Sequence, residues 1–240
     1  MQISIVFTKD RITLPIATCE TLQGLLYKAV SADASYAQSL HDEGRLFDGR
    51  KFKLFSFGEP EGRYEIEGDS ITYLSRLRLT VRSADAYFIQ LLLAYFTPGR
   101  EVRLGNNTVT VGDVRLGDNR IYGDRIVIRT LSPITAYITE PDGRTVYFSP
   151  EDPRFYDSLT ANARRKYVGV FGTDEGFSLR VSPAEGARFI KRATRFKTTF
   201  ITAWHGRFVL EAPPRVLELL YDTGLGSKNS QGFGMFEIKE

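Results

Sequence analysis

The chain has 240 residues, 42% of them apolar, which suffices for one large domain or two of about 100 to 120 residues with real cores. A net charge of +3 does not announce a nucleic-acid binder, so any such role rests on where the charges sit. A single cysteine, Cys19, excludes an internal disulfide or a cysteine zinc cluster, and two histidines in separate halves, His41 and His205, offer few soft ligands for a transition metal.

Gln2 to Thr8 is β-rich and partly alternating, the pattern of a strand. Leu22, Leu25, Leu26, Ala29 and Val30 recur at helical spacing over Thr21 to Val30. Tyr27 falls roughly 130° from the centre of that stripe at about 100° per residue, which puts its hydroxyl on the flank of the helix. There it is available for chemistry or, more simply, for capping a neighbouring element. Ser31-Ala-Asp33-Ala starts a second helical segment, Ser and Asp being favoured N-caps, and Gly44 suits its left-handed end. His41 therefore sits in a last turn, where the helix dipole favours the imidazolium. A dipole-stabilising surface histidine is the plain alternative.

Lys51 to Phe57 reads as the next strand, with Arg63 to Glu67 and Ser70 to Val81 as its antiparallel return. A helix over Ala84 to Phe96 ends at Thr97-Pro-Gly99, and Val102 to Val114 closes the unit. The order β-α-β-β-α-β, with one extra helical segment, is the ferredoxin-like arrangement. The polar stretch Asp118 to Arg125 reads as a linker, giving an expected first domain over 1–118 and a second over 119–240.

The second half follows the same plan. Strands are expected at Ile126 to Leu131, Ile134 to Ile138 and Thr145 to Phe148, and Ser149-Pro150-Glu-Asp152 opens a helix over Arg154 to Tyr167. Phe177 to Val181 begins a strand, Thr198 to Leu210 forms a long one, and Arg215 to Tyr221 is a short helix after Pro213-Pro214. Between Glu185 and Glu211 there is no acid, yet Arg188, Lys191, Arg192, Arg195, Lys197 and Arg207 occur with Phe189, Phe196, Phe200 and Trp204 among them. Cations meet phosphates and aromatic rings stack on unpaired bases, so this stretch suits RNA; a solvated hairpin with its aromatics in the core is the alternative. Arg164-Arg165-Lys166 adds charge on the helix. His205 falls on the opposite strand face from Trp204, as a structural residue or a peripheral RNA contact.

Near the end, Asp222-Thr-Gly224-Leu-Gly226-Ser-Lys228-Asn229-Ser230-Gln-Gly232-Phe-Gly234-Met-Phe236 holds two Gly-x-Gly pairs around a polar run with one lysine, before a terminal strand over Phe233 to Ile238. Amides turned the same way in such a loop make an anion-binding concavity, and Lys228 adds charge at its centre. A mobile hairpin is the competing reading. A nucleotide P-loop is excluded because Lys228 follows Ser227 and precedes Asn229, and a dinucleotide fingerprint because the loop leads into a strand. No cofactor is implied.

This two-part pattern resembles the C-terminal glycine-rich signature of the RAMP superfamily of CRISPR proteins, and among them the endoribonucleases that cut the repeat RNA. Leu22-Gln-Gly24-Leu-Leu-Tyr27, Leu40-His41-Asp42-Glu43 and Lys53-Leu-Phe-Ser also match the places where such nucleases carry a Tyr, a His and a Lys, with Lys51 competing for the lysine role. Thr130-Leu-Ser-Pro133-Ile and Thr202-Ala-Trp204-His205 fit the same group. The resemblance implies an α+β fold of two tandem ferredoxin-like domains. It also implies metal-independent cleavage of CRISPR precursor transcripts by 2′-hydroxyl attack, leaving 2′,3′-cyclic phosphate and 5′-hydroxyl ends. The implied catalytic residues are Tyr27, His41 and Lys53. The implied RNA contacts are Lys191, Arg192, Arg195 and Lys197 with Gly224, Gly226, Lys228, Asn229, Ser230, Gly232 and Gly234. The implied partner is CRISPR repeat RNA, single-stranded or a short hairpin, and association with effector-complex subunits or a second copy is open. A non-catalytic RAMP subunit that binds guide RNA shares the fold and the loop, and an α+β interaction protein without RNA is a third reading. Nothing resembles a signal peptide or a run long enough to cross a bilayer, so a cytoplasmic protein without membrane contact is expected.

Overall fold

The computed structural model describes residues 1–42, 45–47, 50–117, 121 and 123–239, without the side chains of residues 41, 42, 45–47, 50 and 51. The expected cap at Gly44 and half of the expected linker (118–120 and 122) lie outside the described residues.

In chain order the first half contains β1 (Gln2–Pro15), α1 (Cys19–Val30), α2 (Ala34–Asp42), β2 (Arg45–Phe47), β3 (Arg50–Phe52), β4 (Phe55–Phe57), β5 (Tyr64–Glu67), β6 (Ser70–Ser83), α3 (Ala86–Tyr95), β7 (Glu101–Leu104) and β8 (Asn107–Gly117). Its main sheet runs β4-β6-β1-β8-β7, antiparallel at every pairing. The second half contains β9 (Arg125–Thr130), β10 (Tyr137–Thr139), β11 (Thr145–Tyr147), α4 (Pro153–Phe171), β12 (Arg180–Pro183), β13 (Ile190–Phe196), β14 (Thr199–His205), β15 (Arg207–Glu211), α5 (Pro214–Thr223), a 3₁₀ turn (Asn229–Gln231) and β16 (Phe236–Lys239). Its sheet runs β12-β15-β9-β16, again antiparallel. Each half thus places the second, third, first and fourth strands of a β-α-β-β-α-β unit side by side. That is the ferredoxin-like order, reached twice in an α+β protein.

Alternation explains the cores. Ile3, Ile5 and Phe7 of β1 are fully buried against Leu22, Leu26 and Ala29 of α1 and Phe88, Ile89 and Leu92 of α3. In the second half Ile128, Phe208 and Leu210 meet Phe155 and Leu159 of α4 and Leu217 and Leu220 of α5. Two helices start on an aspartate that accepts backbone N–H bonds, Asp85 for α3 and Asp152 for α4, the latter with Pro153 in the first turn.

Several boundaries differ from the sequence reading. The stretch Thr198 to Leu210 is two strands, because the chain turns at Gly206, whose N–H donates to Thr130 Oγ1 and whose carbonyl accepts from Thr130 N. A Cβ there would stand 2.5 Å from the Phe189 ring. β14 leaves the sheet to pair with β13 as a separate hairpin, while β15 stays within it. Lys51 to Phe57 likewise divides into β3 and β4, with Lys53 and Leu54 between them. The last strand begins at Phe236, not Phe233, because residues 224–235 fold as a packed loop.

The two sheets meet along a seam anchored by Arg82. This arginine is 3% exposed; its Nε donates to Gln2 Oε1 at 2.7 Å, its Nη1 to the Phe236 carbonyl at 2.5 Å, and its guanidinium lies 3.5 Å from the Tyr221 ring centroid. The seam leaves a cleft where the glycine-rich loop faces the segment between β3 and β4.

Candidate functional site

Tyr27 projects from the flank of α1, half-buried, with its ring edge-on to Phe55 at 6.4 Å. Its hydroxyl oxygen accepts a 2.6 Å hydrogen bond from Lys53 Nζ. Two of the three residues expected to act in catalysis are therefore in direct contact, although 26 positions separate them. Burial pushes the phenol up to about 12, so Tyr27 is neutral at physiological pH.

His41 lies in the last turn of α2, as expected, and its side chain is outside the described residues, as is that of Lys51. What positions α2 is clear. Asp33 accepts from Tyr36 N at 3.0 Å and from Tyr87 Oη at 2.8 Å, while Tyr36 Oη donates to Asp85 Oδ2 at 2.8 Å. Each tyrosine thus binds the aspartate at the start of the other helix, and the rings pack edge to face at 5.1 Å. These bonds hold Asp33 below the usual carboxylate range, the Tyr36 amide contributing most. α2 is clamped to α3, and with it the backbone that carries His41.

Lys53 opens onto a cleft of about 460 Å³ whose other walls are Tyr137 and Thr139 of β10, Asn162 and Lys166 of α4, and Ser227 to Gln231 of the loop. The described lining holds three lysines, Lys53, Lys166 and Lys228, and no carboxylate. Lys228 adopts a left-handed backbone (φ 59°), and its Nζ stands 5.1 Å from the Tyr137 ring centroid. Asn162 Oδ1 and Gln231 Oε1 are buried without a hydrogen-bond partner among the described residues.

The glycine-rich loop is packed, not open. Gly224, Gly226, Gly232 and Gly234 are all buried with positive φ, and the amides of Leu225, Ser227, Gly232 and Gly234 donate to Gly234, Thr135, Asn229 and Pro133 carbonyls. Asn229 is an internal brace: its Nδ2 donates to the Leu225 and Phe233 carbonyls, and its Oδ1 accepts from Lys166. Lys228, Ser230 and Gln231 are the half-buried loop residues that form cleft wall. Lys166, expected on a basic helix surface, is instead fully enclosed. It falls on the buried stripe Phe155, Leu159, Asn162, Lys166, whose spacing of three to four residues is the signal that could have placed it inward.

The basic stretch forms the β13–β14 hairpin. Lys191, Arg192 and Arg195 are exposed along β13, and Lys197 occupies its turn at φ 53°. Arg195 pairs across the hairpin with Phe200, which is 68% exposed, so a cation and a ring share one open face. Phe196 and Trp204 are buried and Phe189 is half-buried against Phe208, which leaves Phe200 as the exposed ring of the four. His205 bridges structure, with Nδ1 3.0 Å from Thr130 Oγ1 and Nε2 3.3 Å from Glu59 Oε1. No helix among the described residues is long and apolar enough to cross a membrane.

The family model for CRISPR associated protein Cas6, C-terminal, matches residues 117–238, half of the chain. The chain belongs to the Cas6 family. A curated relative, the CRISPR-associated endoribonuclease Cas6 of Pyrococcus furiosus, is 29% identical over 234 residues, covering 91% of this chain and 81% of its own. The CRISPR-associated endoribonuclease Cas6 1 of Methanocaldococcus jannaschii is 26% identical over 252 residues, covering 98% and 91%. Among solved structures, a CRISPR associated protein Cas6 matches with a TM-score of 0.80 at 24% identity, over all of this chain and 99% of its own. A RAMP protein binding different RNA substrates matches with a TM-score of 0.84 at 21% identity over all of both chains. These structural matches carry the fold, and the ferredoxin-like pair described above is that of Cas6 and RAMP structures.

Proposed function

We propose that this Cas6 protein is a metal-independent endoribonuclease that cuts CRISPR precursor transcripts within the repeat. The observation that carries the reading is the Lys53–Tyr27 hydrogen bond at the mouth of a cleft whose described lining holds three lysines and no carboxylate. Such a lining suits a phosphate and, among the described residues, brings no carboxylate to a divalent cation.

Cutting RNA without a metal requires removing the 2′-hydroxyl proton, stabilising charge on the non-bridging oxygens and protonating the leaving 5′-oxygen. His41, held by the clamped α2, is assigned as general base or acid, a role typically worth ~10²- to 10⁴-fold. Tyr27 is its partner in proton transfer or orientation; because its oxygen accepts from Lys53, its own proton is directed away from the lysine. Lys53 neutralises the developing charge. In-line attack needs the strand held in alignment, which falls to Lys228 and Ser230 in the cleft wall, with the glycines and Asn229 maintaining the loop's shape. Products are a 2′,3′-cyclic phosphate and a 5′-hydroxyl. Lys191, Arg192, Arg195 and Lys197 bind phosphates on the hairpin, and Phe200 stacks on an unpaired base.

The assignment is tested by His41→Ala in single-turnover cleavage beside equilibrium binding. Cleavage at least tenfold slower with affinity near wild type is expected. Equal losses in both would overturn the role of His41, and tight binding with no cutting by the unmodified protein would make it a guide-RNA-binding subunit.

A further inference from the structure

Lys166 is a buried charge that the cleavage chemistry does not use. It is 3% exposed at the centre of α4, and burial draws its ammonium down to about 7. Its neighbour Arg164 faces solvent in an ion pair with Asp174, so the helix turns one cation out and one in. A methionine would fill similar space without desolvating a charge, which means the charge answers a need other than packing.

That need is visible in its partners. Nζ donates to the Gly224 carbonyl at 2.7 Å, the Gly226 carbonyl at 3.2 Å and Asn229 Oδ1 at 2.5 Å. Three N–H groups meet three acceptors, all from the glycine-rich loop and none a carboxylate. The bonds gather both sides of the loop onto one point, since Asn229 in turn holds the carbonyls of Leu225 and Phe233.

We propose that Lys166 is a positioning residue for RNA: by collecting the Gly224 and Gly226 carbonyls and the Asn229 amide oxygen, it holds the loop in the shape that presents Lys228 and Ser230 to a phosphate. This rests on the RNA-binding reading of the cleft. A neutral amine has two N–H groups for the three acceptors and turns a lone pair toward the third, so the shape depends on the ammonium. A phosphate in the cleft favours the charged form, and binding therefore takes up a proton near and above neutrality. Among the described residues the other titratable groups lining the cleft are Lys53, Lys228 and Tyr137, and from α5 Arg215 lies over the Phe171 ring of α4.

The test is equilibrium binding of the full chain to a repeat RNA made uncleavable by a 2′-deoxy substitution at the cut, from pH 6.5 to 8.5 at fixed ionic strength. Wild-type affinity should fall at least threefold across that range. Lys166→Met should bind at least tenfold more weakly at pH 6.5, with no pH dependence, while still melting cooperatively. Lys166→Arg, which keeps the charge but cannot lose it, should recover affinity to within about threefold and stay flat with pH. Should the methionine variant fail to fold, the arginine variant and the wild-type profile decide. A flat wild-type profile, a methionine variant within twofold of wild type, or the same pH slope in either variant would overturn the proposal. Absence of any wild-type binding at pH 6.5 and low salt would instead overturn the RNA reading beneath it.

Discussion

Gly234→Ala is the sharpest test of the packed loop. Gly234 has φ 77°, its N–H donates to the Pro133 carbonyl at 2.9 Å, and its carbonyl accepts from Leu225 N at 2.8 Å. A Cβ would fall well inside contact distance of the Leu225 carbonyl oxygen and 2.6 Å from Asn229 Nδ2. The left-handed conformation costs a non-glycine residue roughly 1–2 kcal/mol. Relieving the clash means moving the Leu225 peptide, which breaks two backbone bonds worth about 0.5–1.5 kcal/mol each and disturbs the Asn229 brace. The expected loss is about 3–5 kcal/mol, a large fraction of the ~5–15 kcal/mol that holds a typical domain. Urea unfolding of wild type and variant measures it. A variant within about 1 kcal/mol of wild type would show that the loop is loose and refute the packing argument. Gly24→Ala is the matched control: it lies inside α1 with nothing within 4 Å of a Cβ, so it should gain about 0.5–1 kcal/mol.

Other outcomes follow from the same contacts. Tyr27→Phe and Lys53→Met should each lower the single-turnover cleavage rate, the lysine change by ~10²- to 10³-fold, with RNA affinity within a few-fold of wild type; comparable loss of binding would place them in recognition. Lys228→Ala with Arg192→Ala should weaken binding and flatten the dependence of log affinity on log salt by about 1.4, two single-strand phosphate contacts at ~0.7 each. An unchanged slope would remove both from the binding face. Arg82→Leu takes the guanidinium donor from the Phe236 carbonyl and leaves Gln2 Oε1 with Tyr221 Oη at 3.4 Å, and should cost about 1–3 kcal/mol, read by thermal or urea unfolding; a neutral result would mean the seam does not depend on it.

The parts of the fold that could be read from the chain are those set by local periodicity. The stripe Leu22, Leu25, Leu26, Ala29, Val30 buries as its spacing requires, and Tyr27 falls on the flank for the same reason. The break at Gly206 was hidden because strand-favouring residues continue on both sides of it, and what turns the chain there is Thr130, 76 positions away. The loop looked like an open anion concavity because its partners, Pro133 and Thr135, are supplied from about 100 residues earlier. Lys166 looked like surface charge beside Arg164 and Arg165, whereas the buried stripe from Phe155 governs where it points. The pairing of Tyr27 with Lys53 came from the family resemblance, since nothing in residue spacing brings a helix flank to the segment between β3 and β4.

The central claim is tested most directly by incubating the protein with its repeat RNA in excess EDTA, beside the same RNA carrying a single 2′-deoxy residue at the cut. One cut is expected that survives EDTA, ends in a 2′,3′-cyclic phosphate and disappears with the deoxy substrate. Cleavage that stops in EDTA, or proceeds on the deoxy substrate, would contradict it.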